Sequence, residues 1–299
     1  MIGKITYDSC RCCGSNAIIK VLICKDHTVS KEAFEIWECS NCTFRFTQNV
    51  PDEANIGAYY QSAEYVSHSD TKQGLINRLY HIVRSHTLKS KRNLVQKVTR
   101  LKSGNSLDVG AGTGAFTNTM QQAGWKVTGL EPDTTARANA LLNYDLKLSE
   151  LTNLHQLESN SFDAITMWHV LEHVHDLHGY LRTYHRILKP NGRLIIAVPN
   201  YTSYDAAVYK QHWAAYDVPR HLYHFSPASM QVLLEQKWFL LEAVKRMWFD
   251  SFYVSMLSEK YKHGKENFIK AIWVGMVSNL KAILNIRKCS SVIYVIRKK

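Results

Sequence analysis

Residues 105–131 read N-S-L-D-V-G-A-G-T-G-A-F-T-N-T-M-Q-Q-A-G-W-K-V-T-G-L-E. An apolar strand ends at Asp108-Val109, a glycine-rich turn follows over Gly110-Ala111-Gly112-Thr113-Gly114, and a helical pattern occupies Phe116 to Gln122. Gly124 stops that helix, and a second strand, Lys126 to Leu130, delivers Glu131. Gly110 and Gly112 let the backbone turn tightly and approach a ligand closely. The helix start behind them presents free N–H groups. An acid at the end of the next strand can accept hydrogen bonds from a ribose diol. Strand, turn, helix, strand and acid in this order read as a nucleoside-binding half-fold, which a Gly-rich turn alone would not indicate.

The glycines do not settle which nucleoside, because Gly110, Gly112 and Ala115 also fit a dinucleotide spacing. The whole run D-V-G-A-G-T-G more closely resembles the first motif of class I S-adenosylmethionine (SAM) methyltransferases. The resemblance implies an α/β fold, a doubly wound, seven-stranded, Rossmann-like sheet. It places Asp108 near the methionine end of SAM, Gly110, Ala111, Gly112 and Gly114 under the cofactor, and Glu131 with Pro132 at the ribose. Glu150 and Leu151, after a short third strand over Leu146 to Leu148, would lie near the adenine.

Two later runs carry the same resemblance. Ser161-Phe-Asp-Ala-Ile-Thr-Met-Trp-His-Val-Leu-Glu-His173 matches a family pattern in which F-D-x-I precedes H-x-L-E-H. It implies that Met167, Trp168 and His169 sit beside the transferable methyl group. Leu188-Lys-Pro-Asn-Gly-Arg-Leu-Ile-Ile-Ala-Val-Pro-Asn200 resembles the fifth-strand region, with Lys189 to Gly192 read as the stop of a helix over Leu177 to Leu188. In a subgroup of the class, a P-R-H-x-x-x-F-S run, here Pro219 to Ser226, lies next to the acceptor pocket. Arg220, His221 and His224 are thereby acceptor-side candidates. His169, His221 and His224 are the candidate bases, since an imidazole titrates near neutrality. The competing reading is a loop whose histidines bond only to one another and to backbone.

Six of the seven cysteines fall within the first 42 residues. Cys10-x-x-Cys13 and Cys39-x-x-Cys42 have the spacing of two knuckles that close a tetrahedral thiolate cage around zinc. Four thiolates leave no open position, so this zinc is expected to be structural. Cys24 reads as a buried strand residue. The segments around V-L-I-C and F-E-I-W-E-C read as the strands of a hairpin, giving a zinc-ribbon-like segment over 1–47.

Residues 48–104 read as a connection with one or two helices over 74–101 and with Tyr59, Tyr60 and Tyr65 as lid or anchoring residues. The methyltransferase domain is expected over 105–299, with a helical insertion at about 248–287. Its second helix, Glu266 to Leu284, puts Phe268, Ile269, Ile272, Trp273, Met276, Leu280 and Ile283 on one stripe beside Lys270 and Lys281. Such a stripe usually covers the sheet or a second copy in a homodimer. With its basic flank over 266–288, it also suits peripheral contact with a membrane surface.

The 299 residues carry 37 Lys and Arg against 25 Asp and Glu, a formal charge of +12. That suits nucleic acid, anionic lipid or a phosphorylated substrate. No stretch has the length and apolarity of a membrane span, and Met1 to Ser9 lacks a signal-peptide core, so a cytoplasmic location is the expectation. The basic run Lys89 to Lys102 has no interleaved aromatics, and a D/N-P-P-Y run is absent after the fourth strand. Both argue against a nucleic-acid partner. The reading is therefore SAM-dependent methyl transfer to a small-molecule acceptor: a nucleotide sugar, a quinone-like compound or a polysaccharide-related one. An RNA-modifying enzyme, an NAD-dependent dehydrogenase and a non-catalytic zinc-ribbon protein are the alternatives. The N-terminal cysteines are also similar to those of deoxysugar C-methyltransferases.

Overall fold

The computed structural model describes residues 3–61, 75–236 and 238–299, with 75–82 as backbone alone. In chain order the strands are β1 (Lys4–Ile5), β2 (Ile18–Lys25), β3 (Ala33–Cys39), β4 (Arg45–Thr47), β5 (Val50–Pro51), β6 (Asn105–Val109), β7 (Lys126–Leu130), β8 (Phe162–Trp168), β9 (Leu188–Pro199), β10 (Tyr223–His224), β11 (Phe239–Met247) and β12 (Ser291–Lys298). The helices are α1 (Leu75–Thr99), α2 (Ala115–Gln122), α3 (Thr134–Tyr144), α4 (Leu177–Ile187), α5 (Tyr204–Tyr209), α6 (Pro227–Glu235), α7 (Asp250–His263) and α8 (Phe268–Leu284). Short 3₁₀ turns join several of them.

The main sheet runs β11-β12-β9-β8-β6-β7. β7, β6, β8 and β9 are parallel, and β12 and β11 close the far edge antiparallel. Alternation along β9 shows why both faces are covered. Leu194, Ile196 and Val198 join one apolar cluster with Leu177, Leu181 and Tyr184 of α4, while Ile195 and Ala197 join another with Val95 of α1 and Phe116 and Met120 of α2. The described sheet has six strands rather than seven. The expected third strand at Leu146–Leu148 is reduced to a single parallel bridge, Leu130↔Ser149, although Leu146 and Leu148 are buried under α3. A second departure is at Lys189–Gly192, which continues β9 rather than ending α4, with a register shift against β8 between Phe162 and Ala164.

β6 is the pivot. The chain goes from β6 outward to β7, then returns to β8 on the other side. The carboxyl ends of β6 and β8 therefore flank the crevice where ligands collect in such sheets.

The ribbon does not stand apart from this sheet. β2, β3 and β4 form an antiparallel sheet whose outer strand pairs with β10, Phe46 against Tyr223 and Arg45 against His224. Cys10, Cys12, Cys39 and Cys42 belong to the same apolar cluster as the β6, β8 and β9 side chains. The Cys12 thiol faces the Ser229 carbonyl of α6.

Candidate active site

The glycine turn sits as its sequence requires. Gly110, Gly112 and Gly114 have φ of 68°, 54° and 81°, a region open to glycine and costly for other residues. A Cβ on Gly110 would meet Val170 Cγ2 at 2.4 Å, whereas one on Gly112 would project into open space. Glu131 curls back under the turn. Its Oε2 accepts from Gly112 N–H at 2.7 Å and its Oε1 from Asp133 N–H at 2.9 Å. Pro132 and Glu150 are tied together by Arg137, which donates to the Pro132 carbonyl and pairs with Glu150 at 3.1 Å. Leu151 opens the following 3₁₀ turn and packs on the core.

Asp108 ends the pivot strand 3% exposed, accepting from Thr166 at 2.7 Å and Thr117 at 2.9 Å. Burial pushes its carboxyl up to about 6, the two hydroxyls holding it from rising further. Lys91 of α1 lies 4.3 Å over the Trp168 ring, with Asp250 and Asp108 as its nearby counter-charges. Met167 is fully buried, and Trp168 stacks edge-on to Phe116.

His169 leaves β8 with φ of 59° and stands between two acids. Its Nε2 is 2.9 Å from Asp250 of α7 and its Nδ1 is 3.4 Å from Glu172. Against the cost of burial, Asp250 first and Glu172 next push its pKa up to about 10. At neutral pH it is an imidazolium, so the expected base role does not suit it. It is a donor and a positive charge at the carboxyl edge of the sheet.

Arg220 corrects the sequence reading in the same way. It is 1% exposed. Its guanidinium spans Asp217 (2.6 Å), Asp26 (3.1 Å) and the Tyr59 carbonyl (2.8 Å). The fork of this acceptor-side candidate is occupied by the protein itself. His224 is likewise committed: its Nε2 is 3.0 Å from the Thr47 hydroxyl inside the β4–β10 pairing, and burial drives its pKa well below the usual value.

His221 is the acceptor-side candidate whose Nε2 is least committed. Its Nδ1–H donates to the Ala215 carbonyl at 2.9 Å, and its Nε2 lies 4.0 Å from Asp217 Oδ2. His173 lies edge-on to it, with ring centroids 4.6 Å apart. Burial, then His221, press the His173 pKa down to about 4. Its Nδ1 faces the Arg220 carbonyl at 3.0 Å and the Tyr60 hydroxyl at 2.9 Å. Glu172 is fully buried between these rings and His169, close enough that one ligating atom from each of Glu172, His173 and His221 lies within 4.8 Å of the others. Tyr59 is an anchor, buried and bonded to Glu32, while Tyr60 reaches the histidines. Tyr65 lies outside the described residues.

The sequence reading missed Lys91, Asp250 and Asp217. Lys91 was hidden inside a basic run, and nothing near Asp250 marks it as a partner of β8.

The cysteine geometry fits a metal. Cys10 and Cys42 Sγ are 3.5 Å apart, Cys13 and Cys39 Sγ 3.6 Å, and all four lie within 4.8 Å of one another. A tetrahedron with Zn–S of about 2.3 Å has edges of about 3.8 Å, close to these separations. Cys12 N–H donates to Cys10 Sγ at 3.3 Å, which favours a thiolate there.

Residues 82–239, more than half of the chain, match the model of a methyltransferase-domain family. The chain belongs to the class I methyltransferase family. A ubiquinone biosynthesis O-methyltransferase of Xanthomonas oryzae pv. oryzae is 31% identical over 157 residues, 48% of this chain and 66% of the relative. A demethylmenaquinone methyltransferase of Tropheryma whipplei is 32% identical over 151 residues, 47% of this chain and 62% of the relative. The matched stretch thus takes in just under two thirds of each curated relative. A solved SAM-dependent methyltransferase from Archaeoglobus fulgidus superposes with a TM-score of 0.46 at 20% identity, covering 74% of this chain and 100% of the other.

Proposed function

We propose that the protein transfers the methyl group of SAM to a hydroxyl of a small, quinone-like acceptor. The observation that carries this reading is the cradle at the end of β6. Open space stands over Gly112 and a buried acid, Asp108, lies beneath. Glu131 has its two oxygens held in place by N–H groups. These residues fit SAM: Glu131 would take the ribose hydroxyls through its remaining lone pairs, and Asp108 would face the methionine end. SAM supplies a methyl group activated by the sulfonium. The protein's contribution is alignment of the acceptor and removal of its proton, for which His221, beside Asp217, is the candidate base. His169 and Lys91 stand at that edge with Asp250, Glu172 and Asp108 as their counter-charges, and their N–H groups are the donors available to orient the acceptor's oxygen. The quinone-like class is supported by the names of the curated relatives, and the guanidinium of Arg220 is taken up by Asp217 and Asp26.

The N-terminal cage, in the same reading, holds a structural zinc. All four cysteine ligands are used, and the ribbon's task is to brace the loop that carries Arg220 and His221.

Calorimetry tests the cofactor. SAM should bind and NAD should not. Glu131→Ala should weaken SAM by about 1.5–3 kcal/mol, the cost of losing a charged acceptor. Equal affinity in parent and variant would remove Glu131 from the site, and NAD binding in place of SAM would overturn the reading.

A further inference from the structure

Helix α8 is built inside out. The stripe it packs against α7 and α5 is small: Ala271, Val274, Gly275, Ser278 and Ala282 are its buried residues. Gly275 admits Phe252 so closely that a Cβ would meet the ring at 2.6 Å, and Ser278 donates to the buried Asp205 at 2.8 Å. The opposite stripe carries the large apolar side chains and faces outward. Ile269 is 85% exposed, Trp273 64%, Leu280 58% and Leu284 89%, with Ile272 and Ile283 between them. Trp248, itself exposed, adjoins the stripe through its carbonyl, which accepts from Asn279 of α8. A solvated helix has the reverse arrangement. An apolar face this long on a single helix marks a surface that meets something other than water.

The charges around the face say what it meets. Lys262 and Lys265 lie at one end of α8, beside a Lys270 paired with Glu259, and Lys281, Arg287 and Lys288 lie at the other. The acids of the insertion are turned inward or spent. Asp250 pairs with His169, and Glu259 is fully buried against Lys270 at 3.0 Å, which leaves Glu266 as the remaining acid. A rim of cations around a stripe of Ile, Leu and Trp is complementary to an anionic lipid surface. Against a second copy of the chain it would set like charge on like charge. No described helix is long and apolar enough to cross a membrane. α8 would lie in the plane of the interface, its indole ring at headgroup depth.

We propose that α8 is a lipid-docking helix that seats the protein on an anionic membrane surface. The same insertion reaches the site, because Asp250 in the first turn of α7 holds His169. Docking therefore brings the acceptor side of the crevice to the bilayer, where an acceptor with an apolar tail resides. This last step rests on the quinone-like reading, and the docking itself does not.

The test is flotation of the full chain with vesicles of phosphatidylcholine alone and with about one quarter phosphatidylglycerol. The chain should float with the anionic vesicles, at least tenfold less with the neutral ones, and less as salt rises. The double variant Ile269→Glu, Leu280→Glu should stay in solution. Its SAM affinity should match the parent's and its melting temperature should stay close to it, since both side chains are mostly exposed in the free protein. Failure of the parent to float, or equal flotation of the double variant, would overturn the proposal. So would a parent that is dimeric by light scattering and becomes monomeric in the double variant, which would show a second copy covering the face. Each of these failures leaves SAM binding unaffected, so the methyl-transfer reading stands or falls separately.

Discussion

His169→Asn is the substitution that best separates a charged His169 from a base at that position. Asn tolerates the positive φ of 59° better than most side chains, so the backbone is preserved while the imidazolium is removed. In the folded protein the pKa stands at about 10, against about 6.5 when unfolded. A raised folded pKa stabilises fully below pH 6.5, and that stability is lost as the pH climbs through 10. At pH 7 the shift corresponds to about 4 kcal/mol before solvent screening. The ring is 31% exposed, and screening reduces this to about 2–3 kcal/mol. Denaturant unfolding of parent and variant at pH 7 and pH 10 isolates the term, because the other groups titrating in that window are common to both. The parent should lose about 2–3 kcal/mol more than the variant between the two pH values. In the parent, the His169 ring resonances should keep their protonated shifts to near pH 10. Equal losses in the two proteins, or a ring that titrates near 6.5, would show that Asp250 and Glu172 do not hold a proton there, and His169 would return as a candidate base.

Arg220→Ala should cost about 3–5 kcal/mol of stability, because it leaves Asp26 and Asp217 buried beside no cation; a folded variant of parental stability, with a raised acceptor KM, would restore Arg220 to substrate binding. Protein purified without added metal should contain a single zinc. Cys39→Ser should lose it and melt at lower temperature, and a metal-free protein with an intact ribbon would refute the cage. Gly110→Ala should destabilise by about 1–3 kcal/mol through the clash with Val170 and the strained φ, measured by chemical denaturation; an unchanged midpoint would show that the turn relaxes.

Local chemistry made the cofactor half legible in the sequence. A glycine turn declares itself, because Gly110 and Gly112 occupy backbone conformations that other residues avoid, and β6, β7 and β8 are consecutive and pair side by side. The cysteine knuckles are legible for the same reason, since the metal's geometry fixes their spacing. The roles of charged residues were not legible, because each is set by partners far away in sequence. Arg220 read as a substrate clamp only while Asp26 and the Tyr59 carbonyl were out of sight. His169 read as a base only while Asp250 was 81 positions away with nothing to connect them. The apolar stripe of α8 was legible as a stripe, and the sequence left open whether it covers the sheet, a second copy or a membrane surface. Periodicity identifies two faces without saying which one packs. The close approach of Phe252 in α7 to Gly275 and of Asp205 in α5 to Ser278 turns the small stripe inward.

The reading that divides the ribbon from the methyltransferase domain hides what the ribbon does. The acceptor-side loop is held by the main domain, through the Asn200–Phe225 bridge and the Leu222 N–H to the Glu172 carbonyl, and by the ribbon as well. Asp26, from the end of the β2–β3 hairpin, is held well below the usual carboxylate range despite burial, by the Ser30 N–H and the Arg220 guanidinium. The Thr47 hydroxyl donates to the His221 carbonyl at 2.7 Å and meets the His224 ring. β4 pairs with β10. Each of these contacts joins residues of the N-terminal sheet to residues 220–224, and the two cysteine knuckles meet at the open end of the β2–β3 hairpin. A cage that fixes β2, β3 and β4 therefore also fixes where the His221 ring stands relative to β8. Under the proposed function, a zinc held more than 150 residues before His221 in the chain would act on the acceptor side through geometry alone.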